Sequence, residues 1–277
     1  MLATTHSQST GEGAISHIHR VVAENGGVVP RRGRGVELKI SHLTKRYGET
    51  LALSGASVTF RPGIHTILGE NGSGKSTMLK IFSGVVSQSE GTVTLDGRVI
   101  SPRTPRDMQD LGLSTVFQEV LIAPHRTVVE NIFLGYDGPL RRRILKSARA
   151  PLAQALLAEI SRFPIPLSAP AGELPLASQQ LIVLARALVR LPSILLLDEA
   201  TAALDYADRD LVFKVIEDYA AAGNIVIFIS HRLEEVRRLS DRVTVLRSGR
   251  IVETLERNDI TAERLLKLMA PEAAAHG

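Results

Sequence analysis

Ile64-His65-Thr66-Ile67-Leu68-Gly69-Glu70-Asn71-Gly72-Ser73-Gly74-Lys75-Ser76-Thr77 is the stretch on which the fold turns. A short buried strand is followed at once by a glycine-rich run, and that run opens a helix marked by Met78, Leu79, Ile81 and Phe82. From Gly69 to Thr77 the residues match G-x-x-x-x-G-K-[ST], the phosphate-cradling loop. Glycines let the backbone curl so that successive N–H groups face phosphate oxygens, and the helix N-terminus adds its partial positive charge. Gly69, Asn71, Gly72, Ser73, Gly74, Lys75, Ser76 and Thr77 are therefore assigned to phosphate binding. Lys75 should reach the β- and γ-phosphates, and Ser76 should ligate Mg²⁺.

Downstream, Ile194-Leu195-Leu196-Leu197-Asp198-Glu199 is an apolar strand that ends in two carboxylates. Open α/β sheets bind ligands at the C-terminal ends of their strands, which suits Asp198 to a role toward Mg²⁺ and Glu199 to polarising an attacking water. Ile194 to Leu197, a helix from about Ala207 to Ala222, Ile225 to Ile229, a helix near Leu233 to Leu239, and Val243 to Leu246 have the rhythm of a parallel sheet with crossover helices. Upstream, Val36, Leu38 and Ile40, then Ala56, Val58 and Phe60, alternate as half-buried strands of an antiparallel hairpin. A second hairpin runs from Thr92 to Ile100 with Asp96-Gly97 at its turn. Residues from about 124 to 190 read as mostly helical, clearest from Ala150 to Ile160 and from Leu181 to Val189, and interrupted by Pro164, Pro166, Pro170 and Pro175. No internal repeat is visible.

The chain has 277 residues, 44% hydrophobic and 22% charged, so most of it should fold. With no cysteine, disulfides, thiolate metal sites and a cysteine nucleophile are excluded together. The apolar runs are far shorter than the ~20 residues of a membrane-spanning helix. Lys and Arg number 33 against 29 Asp and Glu, a net charge of +4, with basic bunches at Arg31, Arg32 and Arg34, at Arg141 to Arg143, and from Arg232 to Arg250. Such bunches suit either a solvated face or contact with phosphate, anionic lipid or nucleic acid. Aromatic residues are 4% with no Trp, a poor supply of surfaces for stacking bases, and nucleic-acid binding is not expected.

Five stretches occur in order: Gly69 to Thr77, Val116-Phe117-Gln118-Glu119, Leu195 to Glu199, Thr201-Ala202-Ala203-Leu204-Asp205, and Ile229-Ser230-His231-Arg232. Together they resemble the ATP-binding subunits of ABC transporters over roughly residues 36 to 270. Thr127-Val128-Val129-Glu130-Asn131-Ile132-Phe133-Leu134-Gly135 and Ser230 to Glu235 look most like the monosaccharide importers of ribose, xylose and galactose type. The resemblance implies an α/β P-loop NTPase, an ABC-type nucleotide-binding domain over 36–270 with an antiparallel β subdomain and a helical subdomain inserted at about 124–190. Residues 1–35 would be a flexible extension and 271–277 a tail.

It also implies an ATPase, with ATP and Mg²⁺ as cofactors, on the cytoplasmic face of the membrane. Tyr47 would stack on adenine, or else simply pack at a strand end. Gln118 would join Mg²⁺ and water, and Asp205 would lie at a dimer seam, with a helix N-cap as its other reading. His231 would contact the γ-phosphate and orient with Glu199. The segment Glu119 to Val129 would help dock a transmembrane permease, itself fed by a solute-binding protein. Two alternatives stay open: a soluble ABC ATPase acting on nucleic acid or ribosomes, and a nucleotide-binding regulatory subunit of low turnover.

The family pairs each phosphate loop with the partner's signature, typically Leu-Ser-Gly-Gly-Gln. The corresponding stretch here is Leu174-Pro175-Leu176-Ala177-Ser178-Gln179-Gln180. Pro175 has neither hydroxyl nor N–H to offer a facing γ-phosphate, and Ala177 adds a Cβ where close approach is expected. A second ATP-binding subunit of unlike sequence is therefore favoured over self-pairing.

Overall fold

The computed structural model describes Arg20, Val22 and residues 35–136 and 144–270. In chain order the strands are β1 (Leu38–Tyr47), β2 (Thr50–Phe60), β3 (Gly63–Leu68), β4 (Glu90–Leu95), β5 (Arg98–Ile100), β6 (Leu113–Val116), β7 (Ile194–Asp198), β8 (Ile225–Ile229), β9 (Arg242–Arg247) and β10 (Arg250–Glu256). The helices are α1 (Lys75–Phe82), α2 (Pro105–Asp110), α3 (Val128–Ile132), α4 (Lys146–Ile160), α5 (Leu176–Leu188), α6 (Tyr206–Ala221), α7 (Leu233–Leu239) and α8 (Ala262–Met269).

Four strands pair antiparallel in the order β2-β1-β4-β5. The expected second hairpin is β4–β5, and its turn residues Asp96 and Gly97 both have positive φ, 50° and 76°, as a tight hairpin matching strand twist requires. The second sheet runs β10-β9-β3-β8-β7-β6, parallel from β9 to β6 with β10 antiparallel at one edge. Its central strands are buried on both faces, which explains why they read as unbroken apolar runs. The strand period of two then divides each run between two cores. Leu195, Leu197, Val226 and Phe228 face the layer containing α4, α5 and α6. Leu196, Ile227 and Ile229 face α1 and the antiparallel sheet, where Phe60 and Phe82 meet edge to face at 5.5 Å.

Two helices begin earlier than their sequence pattern suggests. Helix α5 starts at Leu176 with Pro175 as its N-cap, not at Leu181; its first turn, with Leu176 exposed and Ala177 to Gln179 half-buried, carries no continuous apolar stripe to mark it. Helix α4 starts at Lys146 and tolerates Pro151 inside it. On α3, Asn131 is fully buried. Its Nδ2 donates to the carbonyls of Ala123, Arg126 and Thr127, and its Oδ1 accepts from Ala123 N at 2.8 Å and from Arg186 Nη2 at 3.1 Å. That web fixes the course of residues 121 to 131.

Most of the expected N-terminal extension, Arg141 to Arg143 and the 271–277 tail lie outside the described residues. Val22, inside the stretch expected to be flexible, is buried in the core on the helical side.

Candidate functional site

Four adjacent parallel strands, β3, β8, β7 and β6, deliver the expected site residues to one sheet edge. β3 runs into the glycine loop, β8 into His231, β7 into Asp198 and Glu199, and β6 into Gln118. Neighbouring strands lie ~4.8 Å apart, so side chains leaving adjacent C-terminal ends can touch. A cleft of about 820 Å³ opens there. Gly69, Asn71, Gly72, Gly74, Lys75, Ser76 and Thr77 line it, together with Gln118, Asp198, Glu199 and His231.

Glycine is required in the loop for specific reasons. A Cβ on Gly69 would come 2.2 Å from the Leu246 carbonyl oxygen, and one on Gly74 would come 2.6 Å from that of Ala52. Gly74 also sits at φ 107°, a region hostile to side chains, as N-cap of α1. Lys75 Nζ bends back over the loop and donates to the carbonyls of Gly69 at 2.7 Å and Glu70 at 2.8 Å. Burial lowers the pKa of its ammonium, and nearby Glu199, Asp198 and Glu70 oppose that shift. Ser73 differs from the rest of the loop: it is 3% exposed, its Oγ has no hydrogen-bond partner among the described residues, its N–H is spent on the Glu70 carbonyl, and it does not line the cleft.

At the opposite wall Glu199 is the hub. His231 Nδ1 lies 2.9 Å from its Oε1, and Gln118 Nε2 lies 3.4 Å from its Oε2. Facing a carboxylate, Nδ1 must carry the proton, which leaves Nε2 as the free face of the ring. Glu199 holds φ 47°, a conformation non-glycine residues keep only when their surroundings impose it. Its N–H is fixed to the Ile229 carbonyl at 3.0 Å. Asp198, only 7% exposed, has its pKa pushed up to about 6, first by burial and then by the Glu199 charge, with Lys75 and Lys80 opposing.

A buried carboxylate that is reluctant to ionise beside a half-buried one makes a site that favours a cation. Asp198, Ser76 and Gln118 suit Mg²⁺. Among the described residues no cluster of three or more His, Cys, Asp or Glu could hold a metal ion alone.

Tyr47 stands at the exposed turn end of β1, 44% accessible, with Lys45 Nζ 5.0 Å from its ring centre, and is not part of the cleft wall. Asp205 caps α6, accepting from Ala207 N at 2.9 Å and Asp208 N at 2.8 Å. The Asp208 amide bond is the largest cause of its lowered pKa. Pro175 caps α5 without a side-chain bond, and Ala177 rests half-buried on the helical-side core. Leu121, in the expected docking segment, is exposed.

Thr50, Leu51, Ala52 and Met269 also line the cleft, though no sequence pattern marked them. They reach it from β2 and from the far end of α8, through tertiary folding that leaves no local signal.

Residues 41–202 match the family model described as ABC transporter. The ribose import ATP-binding protein RbsA 1 of Rhizobium johnstonii is 38% identical over 233 residues, 83% of this chain and 45% of that protein. The ribose import ATP-binding protein RbsA of Burkholderia pseudomallei is 39% identical over 238 residues, 84% of this chain and 46% of that protein. The chain thus spans about half the length of the curated relatives it matches. Among solved structures, an ATP-binding cassette of an ABC transporter in its ADP conformation superposes with a TM-score of 0.71 at 25% identity, covering 85% of this chain and 98% of its own. No helix among the described residues is long and apolar enough to cross a membrane.

Proposed function

The chain belongs to the ABC transporter family, and we propose that it binds ATP with Mg²⁺ in the cleft beside Gly69 to Thr77 and hydrolyses it to drive a membrane permease. The observation that carries this reading is the convergence of Glu199, His231 and Gln118, at 2.9 and 3.4 Å, on a cleft floored by the glycine loop. The names of the relatives support a sugar or similar small solute as cargo, moved inward. On this reading the chain acts peripherally on the cytoplasmic face, alongside the permease and, indirectly, a solute-binding protein.

In the proposed reaction the loop amides and Lys75 hold the β- and γ-phosphates, with Lys75 leaving its loop carbonyls to do so. Glu199 accepts the proton of a water as its oxygen bonds to the γ-phosphorus, and the bond to the bridging oxygen breaks to release ADP. His231 holds one carboxylate oxygen of Glu199 through Nδ1 and presents Nε2 toward the γ-phosphate, while Gln118 holds the other oxygen. Mg²⁺, when bound by Ser76, Gln118 and Asp198, would neutralise charge on the β- and γ-phosphate oxygens. Tyr47, outside the cleft wall in this structure, would have to close over the adenine, and Asp205 would lie at the seam of an ATP-closed pair.

Pro175 shapes the choice of partner. Facing the nucleotide of an opposite chain, it supplies no hydroxyl and no N–H where charge builds in the transition state. Self-pairing would weaken both sites, whereas a partner with an intact signature would leave this chain's own nucleotide well served. An unlike second ATP-binding subunit is therefore favoured.

The test is light scattering of Glu199→Gln with and without ATP, paired with the ATPase rate of the unmodified chain across protein concentration. ATP-bound monomers with little turnover are expected. ATP-driven dimers with a rate second order in protein would overturn the unlike-partner proposal, and failure to bind ATP would overturn the function itself.

A further inference from the structure

Behind the cleft wall lies a carboxylate that the chemistry above does not use. Glu235, on α7, is 5% exposed, and side chains from three parts of the fold converge on it. Ser230 Oγ donates to its Oε2 at 2.7 Å. Thr201 Oγ1 lies 3.3 Å from Oε2 and 3.4 Å from Oε1. Arg232 Nη1 and Arg209 Nη1 stand 3.3 and 3.7 Å from Oε1. The Ser230 hydroxyl in turn accepts from the Arg232 amide at 3.1 Å, so it is locked on both sides.

What matters is where those partners sit in the chain. Thr201 is two residues beyond Glu199, and Ser230 immediately precedes His231. One buried carboxylate therefore holds the roots of the two loops whose tips meet as the 2.9 Å Glu199–His231 pair. On the cleft side the same loops are joined by Glu199 N–H to the Ile229 carbonyl, and the Glu199 carbonyl accepts from Ala202 N at 3.0 Å. The left-handed backbone at Glu199 needs such over-determination to persist. A buried charge gripped by several donors supplies it, since releasing any one of them leaves the charge undercompensated.

We propose that Glu235 is a positioning residue for ATP hydrolysis, which by gripping Thr201 and Ser230 at once sets the separation of Glu199 and His231. This rests on the function proposed above. A misplacement on the order of 1 Å at a reacting group can lower a rate by about 100-fold while leaving substrate binding alone.

The test uses Glu235→Gln, which keeps the shape and removes the charge, and Ser230→Ala, which cuts one arm and leaves the charge paired with both arginines. Steady-state kinetics should show kcat reduced by about 10- to 100-fold with KM for ATP within about twofold. In a Glu199→Gln background Glu235→Gln should have no further effect, because its influence passes through Glu199. Hydrogen exchange of the nucleotide-free full chain should accelerate in residues 199–202 and 230–232 and nowhere else.

Wild-type kcat in both variants would overturn the proposal, as would exchange that accelerates throughout the protein with kcat and KM changing together. If the unmodified chain binds no ATP, the proposed function fails on its own. The exchange data still decide on Glu235: local acceleration supports the grip on the two loops, and unchanged exchange overturns it.

Discussion

Helices α1 and α5 both begin at a sharp turn out of a loop, yet their starts are built from opposite materials. The chain enters α1 through Gly72 and Gly74, at φ 80° and 107°, with an ammonium folded over the turn. It enters α5 through Pro175, at φ −54° and ψ 151°, with no side-chain cap. A helix start offers about four amides without intrahelical partners. At α1 the glycines turn such amides into a cradle for an anion. At α5 proline removes one of them outright. A helix N-terminus is thus a resource that its preceding residues either open or blunt, and this chain does one at each end of the chemistry it would share with a partner.

The most severe way to break the contrast is to spoil the open start. Gly74→Ala puts a Cβ 2.6 Å from the Ala52 carbonyl at a φ that only glycine favours, and should abolish ATP binding and destabilise the protein by about 2 kcal/mol or more. Calorimetric titration with ATP and urea melts check both effects. Lys75→Ala leaves the turn intact but removes the charge that would meet the phosphates, and should lower the ATPase rate by about 1,000-fold.

Next in size is a stability effect tied to the same edge. The folded pKa of Asp198 is raised to about 6 from 3.8, so between those values the nucleotide-free folded state holds a proton the unfolded chain has lost. That stabilisation is full below pH 3.8 and gone as pH rises through 6, leaving a penalty of about 3 kcal/mol at neutral pH. Asp198→Asn should therefore stabilise the nucleotide-free protein by about 2 to 3 kcal/mol at pH 7.5 and by almost nothing near pH 4. Equal gains at both values would mean that the carboxylate is not the source.

The blunted start can be sharpened in return. Pro175→Ser restores a hydroxyl and an amide, and should raise the ATPase rate of a self-paired chain by about tenfold. An unchanged rate would place the limitation elsewhere. The smallest effect belongs to α3, a start with an ordinary cap, where Thr127 Oγ1 accepts from Glu130 N and Glu130 Oε2 accepts from Thr127 N. Thr127→Ala should lower stability by about 1 kcal/mol in urea unfolding, with ATP affinity unchanged.

The parallel sheet and its ligand edge were legible because each part is written locally. Leu195 to Glu199 and Ile225 to His231 each state a buried strand and the group at its end, and sheet order then brings those groups together. The starts of α4 and α5 were not legible, since first turns such as Leu176 to Gln179, exposed or only half-buried, carry no continuous apolar stripe and the prolines nearby read as breaks. Met269 and Glu235 were invisible for another reason. One becomes a cleft wall only when α8 folds back, and the other matters through partners spread from Thr201 to Arg232, which no window of sequence displays.

Lys75 closing on the carbonyls of Gly69 and Glu70 has a thermodynamic consequence. The loop supplies its own counter-group, so it needs no visiting anion to hold its shape, and a nucleotide exchanges one set of partners for another instead of organising a disordered segment. Binding should therefore show the small heat-capacity change of docking onto a finished surface, and not the large negative one that accompanies coupled folding.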